Sequence, residues 1–447
     1  MNYPDPLSVQ PFQAPIRGRI RLPGSKSLTN RALVLAALGD APVTLTGALF
    51  SRDTQILCAA LDALGFVVRA NSDAATIYIE GQGGAIPRPK ARLHVGNAGT
   101  AARFLTALLS LHPEGEYFLD GDPEMYHRPM AGLLDALVGQ GAEVEYAGIA
   151  GHFPFTLKTH GLAGGRVALD ARASSQMLSA LIMVAPFARE PMSLLTEGTR
   201  PAFVEMTLQL MERLGVHVDC SRGLSELLVR QGRIVFPSAI FAIEPDLTAS
   251  SYFLGLVALL GGRLVLEGMP EDSLQGDIAF AELLKKAGLE IRQDGSDWFV
   301  SRQQPLSLDG RFDMETFSDT FLTLAALAPA LAESMEIEGI GHTRFQETDR
   351  IEAMRCELKR LGQRVTAEAA SLRIETDLEE LKSIARKGVA IDTYKDHRVA
   401  MSFGILGSLD LLGDGLPWLR INDPACCGKT FPEFFNQLES LRQNSEA

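Results

Sequence analysis

"LDALGFVVRANSDAATIYIEG", residues 61–81, reads as the end of an amphipathic helix, a glycine, and two strands joined by a polar turn. The same order returns in "LDALVGQGAEVEYAGIAGHFPFTL" (134–157), "LMERLGVHVDCSRGLSELLV" (210–229), "LLKKAGLEIRQDGSDWFV" (283–300) and "ELKRLGQRVTAEAASLRIE" (357–375). The glycines are Gly65, Gly141, Gly215, Gly288 and Gly362, spaced 76, 74, 73 and 74 residues apart. Glycine there suits a left-handed helix end, which it adopts without steric cost. Five returns at one period are a repeat. A sixth helix, "FPEFFNQLESLRQ", arrives one period later, but the chain stops before its hairpin.

The reading that follows is an α/β fold of six copies of one βαβαββ-type unit in two pseudo-symmetric lobes. Another part of the chain must complete the last copy, and the N-terminal strand segment "LSVQPFQAPIRGRIRLPG" is the natural donor. Residues 1–20 then join 242–447 in one lobe, and 21–241 form the other. The chain crosses between lobes near residues 20 and 242, and a ligand cleft is expected between them.

Bulk properties narrow the function. The chain has 447 residues, 46% apolar and 22% charged, which is ordinary for a globular protein of two or more domains. No apolar run is long enough for a membrane span, and "MNYPDPLSVQPFQ" does not resemble an export signal. Five scattered cysteines suggest neither a disulfide framework nor a metal site. A cytoplasmic protein is expected. The net charge of −13 disfavours a nucleic-acid partner, so local basic clusters point to a small anionic ligand.

Those clusters lie between the repeats. "LPGSKSLTNRALVLAALG" (22–39) is not a Walker loop, but small residues and Lys26 at a helix start favour an anion. A plain N-cap, Ser25 or Ser27 with a solvated Lys26, explains that stretch equally well. "GNAGTAARFLTALL", from Gly96, has the same shape, with Arg103 on its helix and Arg128 downstream. "DARASSQMLSALIM" sets Ser174, Ser175 and Gln176 before an apolar helix. Each, taken alone, is more often a capped helix. "DMETFSDTFLTLAALA" carries Asp313 and Asp319. "TRFQETDRIEAM" packs Arg344, Glu347, Asp349 and Arg350 together, which by itself reads as a surface ion-pair cluster. "TYKDHRVAMSFG" holds Asp396, His397 and Arg398, and "DPACCGKTFPEFF" holds Lys429. Jointly these helix-start turns predict an enzyme for phosphorylated or carboxylated small molecules.

Seven stretches, "LPGSKSLTNRALVLAAL", "GNAGTAARFL", "RPMAGLLDAL", "SSQMLSALIMVAP", "QETDRIEAM", "KDHRVAMSF" and "GKTFPEFF", resemble the 5-enolpyruvylshikimate-3-phosphate synthases. The similarity runs in order along nearly the whole chain. It implies the two-lobed inside-out α/β barrel of the enolpyruvyl transferases. It implies transfer of the enolpyruvyl group of phosphoenolpyruvate to the 5-hydroxyl of shikimate 3-phosphate, with phosphate released and neither metal nor organic cofactor. A monomer acting on these two small molecules, with no nucleic-acid or membrane partner, is expected.

Matched position by position, the resemblance makes Asp319, Glu347 and Lys26 the proton-handling residues. Phosphoenolpyruvate falls to Lys26, Asn97, Gly99, Arg128, Gln176, Arg350, Arg398 and Lys429. Shikimate 3-phosphate falls to Lys26, Ser27, Arg31, Ser174, Ser175, Gln176, Arg200, Asp319 and Gln346. Gln346 stands where the family commonly has a phosphate-binding lysine, so Arg200 or Arg344 is expected to restore the charge. Phe203 or a neighbour replaces a common tyrosine, and His342 a common asparagine. Gly99 implies sensitivity to glyphosate. The departures leave open a paralogue acting on a related cyclitol phosphate. The sister transferase using UDP-N-acetylglucosamine would carry a reactive loop cysteine, which nothing here matches, and an RNA 3′-phosphate cyclase-like enzyme would need a basic surface. A non-catalytic phosphosugar-binding protein would need the cations but neither Asp319 nor Glu347.

Overall fold

The computed structural model describes residues 3–446. The chain forms two compact units, one of residues up to Pro23 together with those from Pro245 onward, the other of Gly24–Glu244. The repeat appears as a recurring sheet. In the Gly24–Glu244 unit, Lys90–His94 runs parallel to Gly115–Asp120, which pairs antiparallel with Phe155–Thr159, which pairs antiparallel with Glu143–Tyr146. Gly165–Asp170, Met192–Glu197, Glu226–Val229 and Val218–Cys220 follow the same order. So do Ile240–Ala242, Pro42–Thr46, Thr76–Glu80 and Val68–Asn71.

In the other unit the order holds for Gly310–Asp313, Ser334–Glu338, Leu372–Glu375 and Arg364–Ala367. It holds again for Ile16–Arg21, Gly262–Glu267, Asp297–Arg302 and Glu290–Asp294. The third sheet there is shorter: Val389–Ile391, Leu419–Ile421 and Leu7–Ser8. The N-terminal segment therefore splits. Only Leu7–Ser8 closes the last sheet, while Ile16–Arg21 serves a different one, and Ile240–Ala242 returns to the first sheet of its own unit.

Six buried helices carry the core: α1 (Lys26–Leu38), α2 (Gly99–Leu109), α3 (Ser175–Val184), α4 (Leu247–Leu260), α5 (Phe321–Leu331) and α6 (His397–Gly407). Parallel strands cannot be joined by a tight turn, and α2, α3, α5 and α6 each cross from one parallel strand to its neighbour, while α1 and α4 each connect strands of different sheets. All six are apolar nearly all round and buried nearly all round; every residue of α1 from Leu28 to Leu38 is inside. Within one unit α2 packs on α1 and α3, and within the other α4, α5 and α6 pack on one another.

The second helix of each repeat ends as its sequence predicts. Gly65, Gly141, Gly215, Gly288 and Gly362 have φ of 93°, 103°, 86°, 108° and 80°. After each, the next amide bonds back to the last turn, as Phe66 N–H does to Leu61 O and Gln363 N–H to Leu358 O, both 3.1 and 3.0 Å respectively. This Schellman closure turns the chain from helix into strand.

Candidate active site

Each unit carries one cluster of the predicted residues. In the unit containing the C-terminus the cluster is an ion lattice. Asp319 lies in the 3-10 turn Glu315–Thr320 that leads into α5, and its side chain is 11% exposed. Its Oδ1 accepts from Arg350 Nη1 at 3.0 Å and from Gln346 Nε2 at 3.2 Å, and its Oδ2 from Arg398 Nη2 at 2.7 Å. Arg350 also donates to the Gln346 side-chain oxygen, to Glu347 Oε2 at 2.9 Å and to Asp396 Oδ2 at 2.7 Å. Glu347 is shared with Lys429, whose Nζ lies 2.9 Å from Oε1.

Local sequence explains this placement. Asp396 caps α6, accepting from Arg398 N–H at 2.8 Å, so one carboxylate both starts the helix and anchors Arg350. Asp349 caps the helix Arg350–Arg360 through the Glu352 amide at 3.0 Å. Burial would raise the Asp319 carboxyl, but the Arg398 and Arg350 guanidiniums outweigh it and hold the group below the usual carboxylate range. Asp319 is ionised and able to accept a hydroxyl proton, though with lowered basicity while both arginines remain on it.

In the Gly24–Glu244 unit the cluster is built on the starts of α1, α2 and α3. Ser25 caps α1, and Lys26 Nζ sits 3.7 Å from the buried Asp53 carboxylate. Arg31, one turn on, is fully buried. It donates to Thr207 Oγ1 at 2.7 Å, Phe203 O at 2.9 Å, Ser27 O at 3.0 Å and Ser179 Oγ at 3.3 Å. Arg103 donates to Gly99 O, Gln176 Oε1 and Pro129 O at 3.0, 3.1 and 3.0 Å. No carboxylate neutralises either, and burial lowers both to about 9. Arg128 Nη1 donates to Asn97 O at 3.1 Å. A Cβ on Gly99 would stand 2.6 Å from Arg103 Nη1 and 2.7 Å from Arg128 Nη1, so only glycine lets both guanidiniums close on that turn. Ser174 caps α3 through the Gln176 amide at 3.3 Å, Ser175 is buried within the first turn, and Arg200 donates to Arg172 O at 2.9 Å.

Lys26, Ser27, Arg31, Asn97, Gly99, Arg128, Ser174, Ser175, Gln176 and Arg200 thus share one unit. Asp319, Gln346, Glu347, Arg350, Arg398 and Lys429 share the other. Arg344 donates to Asp349 Oδ2 at 2.6 Å and to the Glu368 carbonyl at 2.6 Å. Asp313 ends the strand Gly310–Asp313 and accepts from the Glu315 amide at 3.1 Å. The sequence reading passed over Asp53, Asp246 and Asp277, and gave Asp396 and Arg103 no role. Asp246 starts α4 as Asp396 starts α6, and the N-cap pattern could have found both. Asp277 carries no local signal beyond preceding a helix.

Known proteins agree with this architecture. The family model for EPSP synthase (3-phosphoshikimate 1-carboxyvinyltransferase) matches residues 11–438. A 3-phosphoshikimate 1-carboxyvinyltransferase from Opitutus terrae is 50% identical over 100% of both chains. One from Nostoc punctiforme is 38% identical, covering 97% of this chain and 98% of the other. Among solved structures, EPSP synthase from Acinetobacter baumannii shares the fold with a TM-score of 0.77 at 23% identity, over 98% of this chain and 97% of that one. With the family's model covering nearly all of it and a full-length relative half identical to it, the chain belongs to the EPSP synthases.

Proposed function

We propose that this chain transfers the enolpyruvyl group of phosphoenolpyruvate to the 5-hydroxyl of shikimate 3-phosphate, with groups from both units serving one reaction. The observation that carries the reading is Asp319, an ionised carboxylate gripped by Arg350 and Arg398 beside the Glu347–Lys429 pair. Protonation of the phosphoenolpyruvate methylene makes its enol carbon electrophilic. The 5-hydroxyl attacks that carbon and yields its proton to Asp319. The tetrahedral intermediate then expels phosphate as its new methyl group gives up a proton to a basic side chain and the C=C bond re-forms, and fixed cations hold the departing charge.

Glu347 and Lys26 are the remaining proton carriers. Arg350, Arg398, Lys429 and Arg128 clamp the phosphoenolpyruvate oxygens with forks and a point charge, and Asn97, Gly99, Gln176 and Lys26 complete that set. Ser27, Ser174, Ser175, Gln176 and Arg200 receive shikimate 3-phosphate. Arg31 acts through Ser27, whose carbonyl it holds, and Gln346 through Asp319. A monomer working in the cytoplasm is part of this reading. Among the described residues no helix is long and apolar enough to cross a membrane.

Incubation with both substrates should release inorganic phosphate, and glyphosate should inhibit in competition with phosphoenolpyruvate. Asp319→Asn should lose about 10²- to 10⁴-fold in turnover while still binding shikimate 3-phosphate by calorimetry. Ligand binding without phosphate release from the unmodified chain would instead favour a phosphosugar-binding protein.

A further inference from the structure

The turn of residues 393–396, just ahead of α6, has a strained backbone. Its two central residues, Tyr394 and Lys395, have φ of 54° and 57°, and the Asp396 amide closes it on the Thr393 carbonyl at 2.8 Å. Two left-handed residues in succession make a turn that glycine, asparagine and aspartate normally occupy, because a larger side chain is crowded there. Such strain persists only where the surroundings hold it, and it gathers at functional sites. This turn leads directly into Asp396 and Arg398.

Glu357 holds it. Glu357 lies seven residues beyond Arg350 on the helix Arg350–Arg360, hence on the same face, and it is fully buried. Its Oε1 accepts from the Tyr394 hydroxyl at 2.7 Å and its Oε2 from the Asp392 amide at 3.2 Å, so one carboxyl group is bonded on both sides of Thr393. The connections continue outward. The Asp392 side chain accepts from Arg360 Nη2 at 2.8 Å and from Asn422 Nδ2 at 2.6 Å, and the Asn422 amide donates to Ile391 O at 3.0 Å. Asn422 is followed by Asp423, also left-handed with φ of 48°, and then by the 3-10 turn Pro424–Lys429. Arg350, Arg398 and Lys429, three of the cations assigned to phosphoenolpyruvate, therefore stand on segments that meet at Glu357 and Asp392.

We infer that Tyr394 is a positioning residue whose hydroxyl, bonded to Glu357, keeps the strained turn in the shape that aims Arg398 at phosphoenolpyruvate. The role rests on the reaction proposed above. Tyr394 is 39% exposed, so its ring adds little to the core, and the hydroxyl is the part that the fold ties down.

The test is steady-state phosphate release by the full chain and by Tyr394→Phe, which removes one oxygen. KM for phosphoenolpyruvate should rise about tenfold, the scale of one hydrogen bond. KM for shikimate 3-phosphate should stay unchanged, because its other contacts lie on the Gly24–Glu244 unit and Asp319 keeps Arg350 and Gln346. Adding Lys395→Asn, which enters the left-handed region readily, should bring KM for phosphoenolpyruvate back toward that of the unmodified chain. An unchanged KM for phosphoenolpyruvate in Tyr394→Phe, an equal rise for both substrates, or no recovery with Lys395→Asn overturns the role. Should Tyr394→Phe fail to fold, Lys395→Val replaces it: a β-branched side chain opposes positive φ, so the same KM must rise, and an unchanged value overturns the role. An unmodified chain that releases no phosphate fails the reaction itself; an active chain with any of the overturning results fails only Tyr394.

Discussion

Arg31 and Arg350 are the two bulkiest fully buried side chains among the described residues, and they are kept inside by opposite means. Arg350 touches three carboxylates, Asp319, Glu347 and Asp396. Arg31 touches none; it has hydroxyls, carbonyls and the faces of Phe104 and Phe203, with its guanidinium carbon 5.3 and 6.0 Å from the ring centroids. Burial therefore depresses Arg31 to about 9, whereas Arg350 is raised, because its three acids outweigh the same penalty. One cluster neutralises its own cations. The other keeps uncompensated positive charge, with Arg103 and Arg128 adding to it.

Truncating an acid in the neutralised cluster should have the largest effect on stability. Asp396→Ala leaves Arg350 buried without its 2.7 Å partner and uncaps α6, and should cost about 3–5 kcal/mol in urea unfolding. Arg31→Met removes the bonds to Thr207, Ser179 and Phe203 but leaves those three bonded to one another and strands no carboxylate, so its cost should be about 1–3 kcal/mol by the same method. Equal losses for the two variants would break the comparison.

Gly99→Ala sharpens it within the positive cluster. The new methyl displaces Arg103 and Arg128, and KM for phosphoenolpyruvate should rise about tenfold, or about 1.4 kcal/mol, in the phosphate-release assay. The smallest effect concerns pH. Asp277 titrates near 7 when folded and near about 4 when unfolded. Between those values the native state keeps a proton that the unfolded chain has lost, so stability falls as pH rises across that window and levels off above about 7. Asp277→Asn cannot titrate. Its urea midpoint relative to the unmodified chain should therefore rise between about pH 5 and about pH 8. A midpoint difference independent of pH would place Asp277 outside the buried, charge-repelled setting that raises it.

Much of the site was legible because its residues sit where local rules place them. Ser25, Ser174 and Asp396 cap helices, Gly99 opens a turn, and Arg350 follows the cap Asp349; each leaves a mark within four residues of itself. The partners are another matter. Asp53 and Lys26 are 27 residues apart, Arg350 and Asp396 are 46, and Asp319 and Arg398 are 79. No local pattern says which acid meets which base. Gln346 shows the difference clearly: its sequence context presents a lost charge, while the structure shows an amide bonded at both ends, to Asp319 and to Arg350.

The repeat, its glycine-ended helices and the short turns that start the buried helices were all determined by sequence, because period, propensity and capping act over a few residues at a time. Tertiary structure decided that Leu7–Ser8 and Ile16–Arg21 join different sheets, and that Arg31 is walled in by hydroxyls while Arg350 is surrounded by acids. Those outcomes depend on which distant surfaces exclude water together, and burial changes the energy of a charge far more than any neighbour in sequence can.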